Sequence, residues 1–177
     1  DVARGTTGFS GADLENLLNE AALHAVRNNR KEISAIDIDE ARDKIIMGPR
    51  KLRKMRPEDI KLTAYHEAGH AFVSMMYADI TAPIHKATII PRGRALGMVQ
   101  HLPIDDKVSM TREEVRANLS IALAGRSAEE LFFGADKITT GAESDIAMAT
   151  RLARYSITTA GLSTKLGLAA INQVSSI

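Results

Sequence analysis

Apolar residues recur at helical spacing in the first long segment of the chain, "FSGADLENLLNEAALHAVRNNR". The positions that share one face of this predicted helix are Leu14, Leu17, Leu18, Ala21, Ala22 and Ala25. Ser10 is followed three residues later by Asp13, which resembles a capping box with a shorter acid. The pattern therefore predicts a helix that starts near Gly11.

The next segment, "ISAIDIDEARDKII", repeats this plan with Ser34 as the cap. Its apolar stripe consists of Ile38, Ala41 and Ile45. Two short helices with one apolar face each cannot form a sizeable core alone. We therefore expect residues 1–47 to pack on a partner that is mostly absent from this sequence.

A longer helix and a hairpin are predicted to follow. Pro57 suits the first position of a helix, and the acids Glu58 and Asp59 suit its first turn. This helix is predicted to run to about Tyr77. The runs "IHKATIIP" and "ALGMVQHLP" are rich in strand-forming residues and are separated by "RGR", which predicts a β-hairpin over about residues 84–102.

Two further helices are predicted in the second half of the chain. Thr111 and Glu114 form a capping box for a helix that continues to about Phe133. The stretch "GADKITTGAES" has the composition of a loop, and "DIAMATRLARYSITTA" is typical of a helix that Gly161 ends. The predicted fold class is α+β, predominantly helical, with one β-hairpin.

Composition narrows the classes of function. Hydrophobic residues make up 45% of the 177 residues, and a net charge of +1 gives no overall attraction to nucleic acid. Aromatic residues are only 4% with no Trp, which argues against a base-stacking surface. The absence of Cys excludes both a disulfide framework and a thiolate metal ligand. No apolar run approaches the roughly 18 residues of a membrane span.

A basic run, "PRKLRKMR", separates the two halves of the chain. It could contact nucleic acid or lipid, but it is short and contains no aromatic residues, so a solvated linker is the favoured interpretation. We therefore predict one unit over residues 1–47, a basic linker over residues 48–57 and a second domain over residues 58–177.

The predicted central helix carries "AYHEAGHAF". His66 and His70 are four residues apart, so they share a helical face and can bind one Zn²⁺ through a nitrogen each. Glu67 lies about 100° round the helix, where it can take a proton from a water on the metal as general base. The pattern can also arise by chance, but zinc hydrolysis is the favoured interpretation. Gly69 costs a helix about 1 kcal/mol against alanine, which indicates that another backbone comes close.

A catalytic zinc needs a third protein ligand. The extension HExxHxxGxxH is excluded, because Val73 and Met76 occupy the positions that it requires for Gly and His. Glu129 lies on the inner stripe of the next long helix, and Asp145 lies at the start of the last one. Periodicity alone leaves both residues as candidates. His85 and His101 are interpreted as surface residues of the hairpin.

At this point the motifs resemble a known family. In order, "TAYHEAGHA", "IIPRGRALG", "LAGRSAEELFFG" and "TTGAESDIAMAT" are similar to the peptidase domain of the FtsH family of membrane-anchored, ATP-dependent zinc proteases. "GFSGADLENLLNEAALHAVRNN" resembles the helical lid of an AAA-type ATPase module. The resemblance implies a small AAA-type lid over residues 1–47, followed by a helical zinc-peptidase domain over residues 58–177 that is truncated at its C-terminus.

The resemblance also implies roles for individual residues. His66, His70 and Asp145 would be the zinc ligands, and Glu67 the catalytic base. Glu129 would hydrogen-bond a ligand histidine and hold its orientation. The residues implied for a substrate-binding edge strand are Ile89, Ile90, Gly97 and Met98.

The implied function is a zinc-dependent endopeptidase that degrades unfolded or extracted membrane and soluble proteins. No P-loop occurs in the sequence, so ATP and Mg²⁺ would act only in the intact protein. That protein would be a homo-hexamer at the cytoplasmic face of the bacterial inner membrane, or at its mitochondrial or plastid equivalent. It would be anchored in the membrane through segments absent from this chain. The chain itself is expected to be soluble. No nucleic-acid partner is expected. The alternative is a ring-assembly module whose peptidase site is inert in this piece.

Overall fold

The computed structural model describes residues 2–52, 54–93, 95–102 and 108–171. Its helices and strands are α1 (Val2–Gly5), α2 (Gly11–Arg27), α3 (Ala35–Met47), α4 (Pro57–Met76), β1 (Ile84–Thr88), β2 (Met98–His101), α5 (Arg112–Phe133) and α6 (Glu143–Thr158). The predicted α+β, mainly helical class with one hairpin is confirmed. Among the described residues, no helix combines the length and the apolar character that a membrane crossing requires.

Helices α2 and α3 pack on each other to form the N-terminal unit. The predicted capping box is present, since the backbone N–H of Ser10 donates to Asp13 Oδ2 at 2.8 Å and Asp13 N–H donates to Ser10 Oγ. Leu17, Ala21 and Ala41 form the buried core of this unit. Because this core is small, the two helices bury little apolar surface of their own.

The second part of the chain is built around the packing of α4 on α5, and α6 also packs on α5. A Cβ on Gly69 would lie 2.7 Å from both the Ala124 carbonyl oxygen and Ala128 Cβ. Glycine therefore permits the close approach of the two helices that its position within α4 predicted. Near the other end of the contact, the Tyr65 ring packs on Phe132 with centroids 4.6 Å apart.

Strands β1 and β2 form a two-stranded antiparallel hairpin that packs on α4. The hairpin extends over residues 84–101, close to the predicted range of 84–102, and its strands cover residues 84–88 and 98–101. Of the four residues expected in a substrate-binding edge strand, only Met98 lies within a strand, as the first residue of β2. Ile89 and Ile90 follow the end of β1, and Gly97 precedes β2.

Three segments differ from the sequence expectations. The predicted loop before α6 contains two 3-10 turns, Ala135–Lys137 and Thr140–Ala142. Helix α6 begins at Glu143, two residues earlier than expected. The linker is not purely solvated, because the Lys51 N–H donates to the Pro91 carbonyl at 2.9 Å. Arg53 of this linker and residues 172–177 of the predicted peptidase domain lie outside the described residues.

The N-terminal unit meets the hairpin through charged side chains. We call this contact the α3–hairpin joint (Glu40 and Asp43 of α3 with Lys86 and Arg92). Arg92 is only 3% exposed, and its Nη2 lies 2.6 Å from Glu40 Oε2 and 3.4 Å from Asp43 Oδ2. Lys86 Nζ lies 2.7 Å from Asp43 Oδ2. Removing Arg92 would leave Asp43 paired with Lys86 and Glu40 paired with Arg50, so each carboxylate would lose one positive neighbour in a poorly solvated place.

We expect Arg92→Ala to lower the free energy of unfolding by roughly 1–3 kcal/mol, because the buried Asp43 and the partly buried Glu40 would each lose one charged partner and keep another. Urea denaturation followed by circular dichroism measures the change. Arg56→Ala is the matched control, because Arg56 also forms an ion pair, with Asp59, but its side chain is 75% exposed. Equal stability of the two variants would contradict a role for burial at the joint.

Candidate metal centre

Helix α4 places the two histidines of "HEAGH" on one buried face. His66 is 8% and His70 9% exposed, and their Nε2 atoms are 3.0 Å apart. The third member comes from the first turn of α6, where Asp145 Oδ2 lies 3.2 Å from His66 Nε2 and 3.5 Å from His70 Nε2. The three side chains form a cluster that could hold a metal ion. Between the two residues that periodicity left open, Asp145 is the one whose carboxylate faces both histidines.

Glu129 lies behind the cluster and not within it. It is fully buried, and its Oε1 accepts a hydrogen bond from His66 Nδ1 at 2.7 Å. His70 has a corresponding partner, because its Nδ1 lies 2.7 Å from the Ile121 carbonyl oxygen. Each histidine is therefore held at Nδ1 and presents Nε2 to the centre. This arrangement is the usual one for histidines that bind a metal.

The hydrogen-bond partners determine which nitrogen carries the proton. A carboxylate and a carbonyl oxygen accept hydrogen bonds, so Nδ1 of His66 and Nδ1 of His70 must both donate. In the neutral ring, Nε2 then has a lone pair and no proton. Two such nitrogens and the carboxylate of Asp145 face one another. A cation between them, either a metal ion or added protons, is needed to offset their mutual repulsion.

The spacing of the three atoms suits zinc. A tetrahedral ion with ligand distances of about 2.0–2.1 Å separates its ligand atoms by roughly 3.3 Å. The observed separations, 3.0, 3.2 and 3.5 Å, bracket this value. Two nitrogens and one oxygen also match the ligand types that zinc accepts, and a set of three leaves one coordination position open. The residues present therefore fit a catalytic type of zinc site.

Gly125 of α5 provides the space for the cluster. A Cβ at this position would lie 2.5 Å from both Nε2 atoms, within contact distance of the place where an ion would bind. Sequence reasoning did not single out Gly125 and missed this role. The available signal was a second glycine inside a predicted helix. Like Gly69, it indicates that another group comes close to the helix at that position.

Glu67 lies between the metal cluster and the hairpin. It is 8% exposed, and burial raises the pKa of its carboxyl, although the neighbouring His70 and His66 partly oppose this shift. A Cβ on Gly97 would lie 2.7 Å from Glu67 Oε1, so the hairpin backbone rests directly against this carboxylate. The segment implied for substrate binding thus reaches the glutamate implied as base.

Electrostatic coupling within the cluster shifts two further pKa values. Burial tends to raise the pKa of Asp145, but hydrogen bonds with His66 and His70 outweigh it and hold the pKa well below its usual range. Burial tends to lower the pKa of His66, but its hydrogen bonds to Asp145 and Glu129 give a net rise. These opposite shifts mark a carboxylate and an imidazole that stabilise each other's charged forms.

Of the two hairpin histidines expected at the surface, His85 is exposed and His101 is partly buried. His101 Nε2 lies 3.1 Å from the buried Ser74 Oγ, and burial together with the charge of His70 lowers the pKa of His101. His85 Nε2 accepts a hydrogen bond from Arg42 at 2.6 Å. Neither residue belongs to the metal cluster.

Comparisons with known proteins show that this chain is similar to zinc proteases. Residues 53–176 match peptidase family M41, and residues 1–40 match the AAA+ lid domain. An ATP-dependent zinc metalloprotease FtsH from Rickettsia bellii is 56% identical over 94% of this chain and 26% of its own length. The corresponding proteins of Neorickettsia risticii and Caulobacter vibrioides are 57% and 52% identical over 94% and 96% of the chain. The chain spans about a quarter of the length of these relatives.

We expect Gly125→Ala to weaken zinc binding by roughly tenfold or more, because the new methyl group would push the two Nε2 atoms out of position. Competition with a chromophoric chelator measures the dissociation constant. Gly11→Ala is the control, since it also adds a methyl group to a helical glycine but meets no atom within 4 Å. Unchanged zinc affinity in Gly125→Ala would show that the ion does not bind between these nitrogens.

Proposed function

Because the chain belongs to peptidase family M41, we propose that it contains the zinc-dependent endopeptidase centre of an ATP-dependent protease. The observation that carries this proposal is the convergence of His66 Nε2, His70 Nε2 and Asp145 Oδ2 within 4.8 Å of one another. A peptide carbonyl is the electrophile that such a centre suits, since its attack by water needs both a Lewis acid and a base.

The three converging side chains would hold the zinc ion, with the remaining position open to water and substrate. When bound, zinc supplies a Lewis acid that polarises the carbonyl and lowers the pKa of a coordinated water toward roughly 7. The chain's own contribution begins with orientation. Glu129 and the Ile121 carbonyl hold Nδ1 of His66 and of His70, so that both rings present a lone pair at Nε2.

Glu67 would act as the general base. Its burial raises the pKa of the carboxyl, which makes the carboxylate a stronger proton acceptor than an exposed glutamate. The carboxylate takes the proton from the attacking water and then passes it to the leaving amine nitrogen, so that the glutamate is regenerated. Gly97 backs this side chain and limits its movement away from the centre.

The hairpin would hold the substrate. An extended peptide can pair with the open edge of a strand through backbone hydrogen bonds, which gives affinity with little dependence on sequence. Gly97 and Met98 lie at the end of the hairpin nearest Glu67, and Ile89 and Ile90 are each 39% exposed beside the end of β1. A peptide bound at this edge would have its backbone next to the proposed base.

The remaining proposals concern the intact protein. Residues 1–47 would be the lid of an AAA ATPase module, joined through residues 48–57 to the peptidase domain of residues 58–177, with ATP and Mg²⁺ bound outside this chain. We propose a homo-hexamer, anchored in a membrane, that degrades unfolded or extracted membrane and soluble proteins at the cytoplasmic face of the bacterial inner membrane or its organellar equivalent. The names of the relatives and the match of residues 1–40 to the AAA+ lid domain support the ATP-dependent part of this proposal.

We expect Glu67→Gln to retain zinc but lose casein cleavage by at least about a hundredfold, because the amide cannot accept the proton of the attacking water. Metal analysis and a fluorescent casein assay measure the two properties. Glu130→Gln is the control, since Glu130 is a 57% exposed acid of α5 that pairs with Arg126. Full cleavage by Glu67→Gln would refute the mechanism, and a wild-type chain that binds zinc without cleaving casein would favour the assembly-module alternative.

Zinc affinity should fall on the acid side. Zinc binds the deprotonated Nε2 of His66. The pKa of an ordinary histidine is about 6.5, and the pKa of His66 is raised above it, so His66 becomes protonated at a higher pH than an ordinary histidine. Lowering the pH through that raised pKa therefore adds a proton where the metal binds. Chelator competition at about pH 8, 7, 6 and 5 is expected to show a loss of roughly tenfold or more between 7 and 5. A constant affinity over this range would contradict the ligand assignment.

A further inference from the structure

We infer that Thr139 is a positioning residue of the metal centre. Its hydroxyl links Glu129, which orients His66, to the turn that positions Asp145. The inference rests on the proposed zinc site and adds to it a residue that neither the motif nor its spacing singled out. It concerns the connection between two ligands that lie 79 positions apart in the sequence.

The first half of the connection is the Glu129 carboxylate. Its Oε1 accepts from His66 Nδ1 at 2.7 Å, and its Oε2 accepts from both the backbone N–H and the hydroxyl of Thr139, at 2.8 and 3.1 Å. A carboxylate held at one oxygen can still rotate about its terminal bond. Since Thr139 holds the second oxygen, the direction in which Oε1 points is determined, and the plane of the His66 ring with it.

The second half of the connection is the turn before α6. Thr139 is the N-cap of the 3-10 turn Thr140–Ala142, and its Oγ1 accepts a hydrogen bond from Gly141 N–H at 3.2 Å. Helix α6 starts directly after this turn, and Asp145 lies in its first turn. A hydroxyl has one proton to donate and two lone pairs, so Thr139 can donate to Glu129 and accept from Gly141 at the same time.

The hydroxyl therefore belongs to two constraints, and the backbone N–H of Thr139 supports the first of them as well. One constraint fixes the orientation of His66, and the other fixes the start of the helix that carries Asp145. Partners of this kind, which touch a ligand or its support and not the ion, typically change metal affinity by 10–100-fold when they are removed.

A merely structural role can be separated from this one. Thr139 lies at an exposed position, so replacing its hydroxyl removes no large core contact. Loss of a capping hydroxyl alone would lower stability modestly and would leave the ligand atoms of a folded protein in place. Loss of a positioning hydroxyl would instead change the affinity and the ligand geometry of the folded protein.

The test uses the 177-residue chain and compares Thr139→Val with Thr139→Ser. Valine matches threonine in shape and keeps the backbone N–H bond to Glu129, but it has no hydroxyl. We expect Thr139→Val to bind zinc roughly tenfold more weakly than wild type by chelator competition, and Thr139→Ser to recover most of the affinity. With Co²⁺ in place of zinc, the visible absorption bands should change in Thr139→Val and return in Thr139→Ser.

Thr140→Val is the matched control. It makes the same substitution one residue later in the same turn, and no hydrogen bond of the Thr140 side chain occurs within the described part of the chain. We expect its zinc affinity and cobalt spectrum to equal those of wild type. Equal weakening in Thr140→Val would attribute the effect to the turn in general and overturn the inference.

Three other results decide between the inference and the function on which it rests. A folded Thr139→Val with wild-type zinc affinity and cobalt spectrum overturns the inference while the zinc site stands. A wild-type chain that binds neither metal refutes the proposed function, and the inference falls with it. Should Thr139→Val fail to fold by circular dichroism, Thr139→Ala takes its place, and the same tenfold loss is required of it.

Discussion

Three hydrogen-bond acceptors face one another in the metal cluster: Nε2 of His66, Nε2 of His70 and the carboxylate of Asp145. The surrounding hydrogen bonds hold them in this arrangement. The Nδ1 positions of His66 and His70 are both occupied by acceptor partners, which leaves two lone pairs directed at Asp145. Without a positive charge between them this convergence is repulsive. Glu129 and the Ile121 carbonyl therefore do more than form buried hydrogen bonds. By holding both Nδ1 atoms, they produce a site that is stable only with a cation between the three acceptors.

The cation site also requires that helices α4 and α5 approach each other closely. The contact between α4 and α5 depends on Gly69, whose missing side chain admits the backbone of α5, and on Gly125, whose missing side chain leaves room beside both imidazole rings. The buried apolar residues near this contact are small, among them Ala124 and Ala128. Close backbone packing and buried hydrogen bonds, more than large apolar side chains, thus determine where the ligand atoms lie.

The parts that could be predicted from the sequence are those with local causes. Capping residues such as Ser10 and Thr111 predicted the starts of helices correctly, because a cap acts within three residues. The spacing of His66 and His70 placed two imidazoles on one face for the same reason. Periodicity could not select the third metal ligand from Glu129 and Asp145, because the position of Asp145 depends on the direction in which α6 leaves the preceding turn. Only the family resemblance selected Asp145 in advance. Thr139 and the α3–hairpin joint also depend on long-range pairing, for which a single sequence contains no signal.

The metal centre and the packing of the helices are consequently one energetic unit. The three candidate ligands come from α4 and α6, their orienting partners come from α5 and the turn before α6, and the hairpin closes over Glu67. A cation that binds the folded arrangement more tightly than the unfolded chain stabilises every contact that the arrangement needs. The converse also holds, because any change that lets α6 drift from α5 moves Asp145 away from the histidines and removes the repulsion together with the site. Folding and metal binding in this protein are therefore expected to respond to the same substitutions.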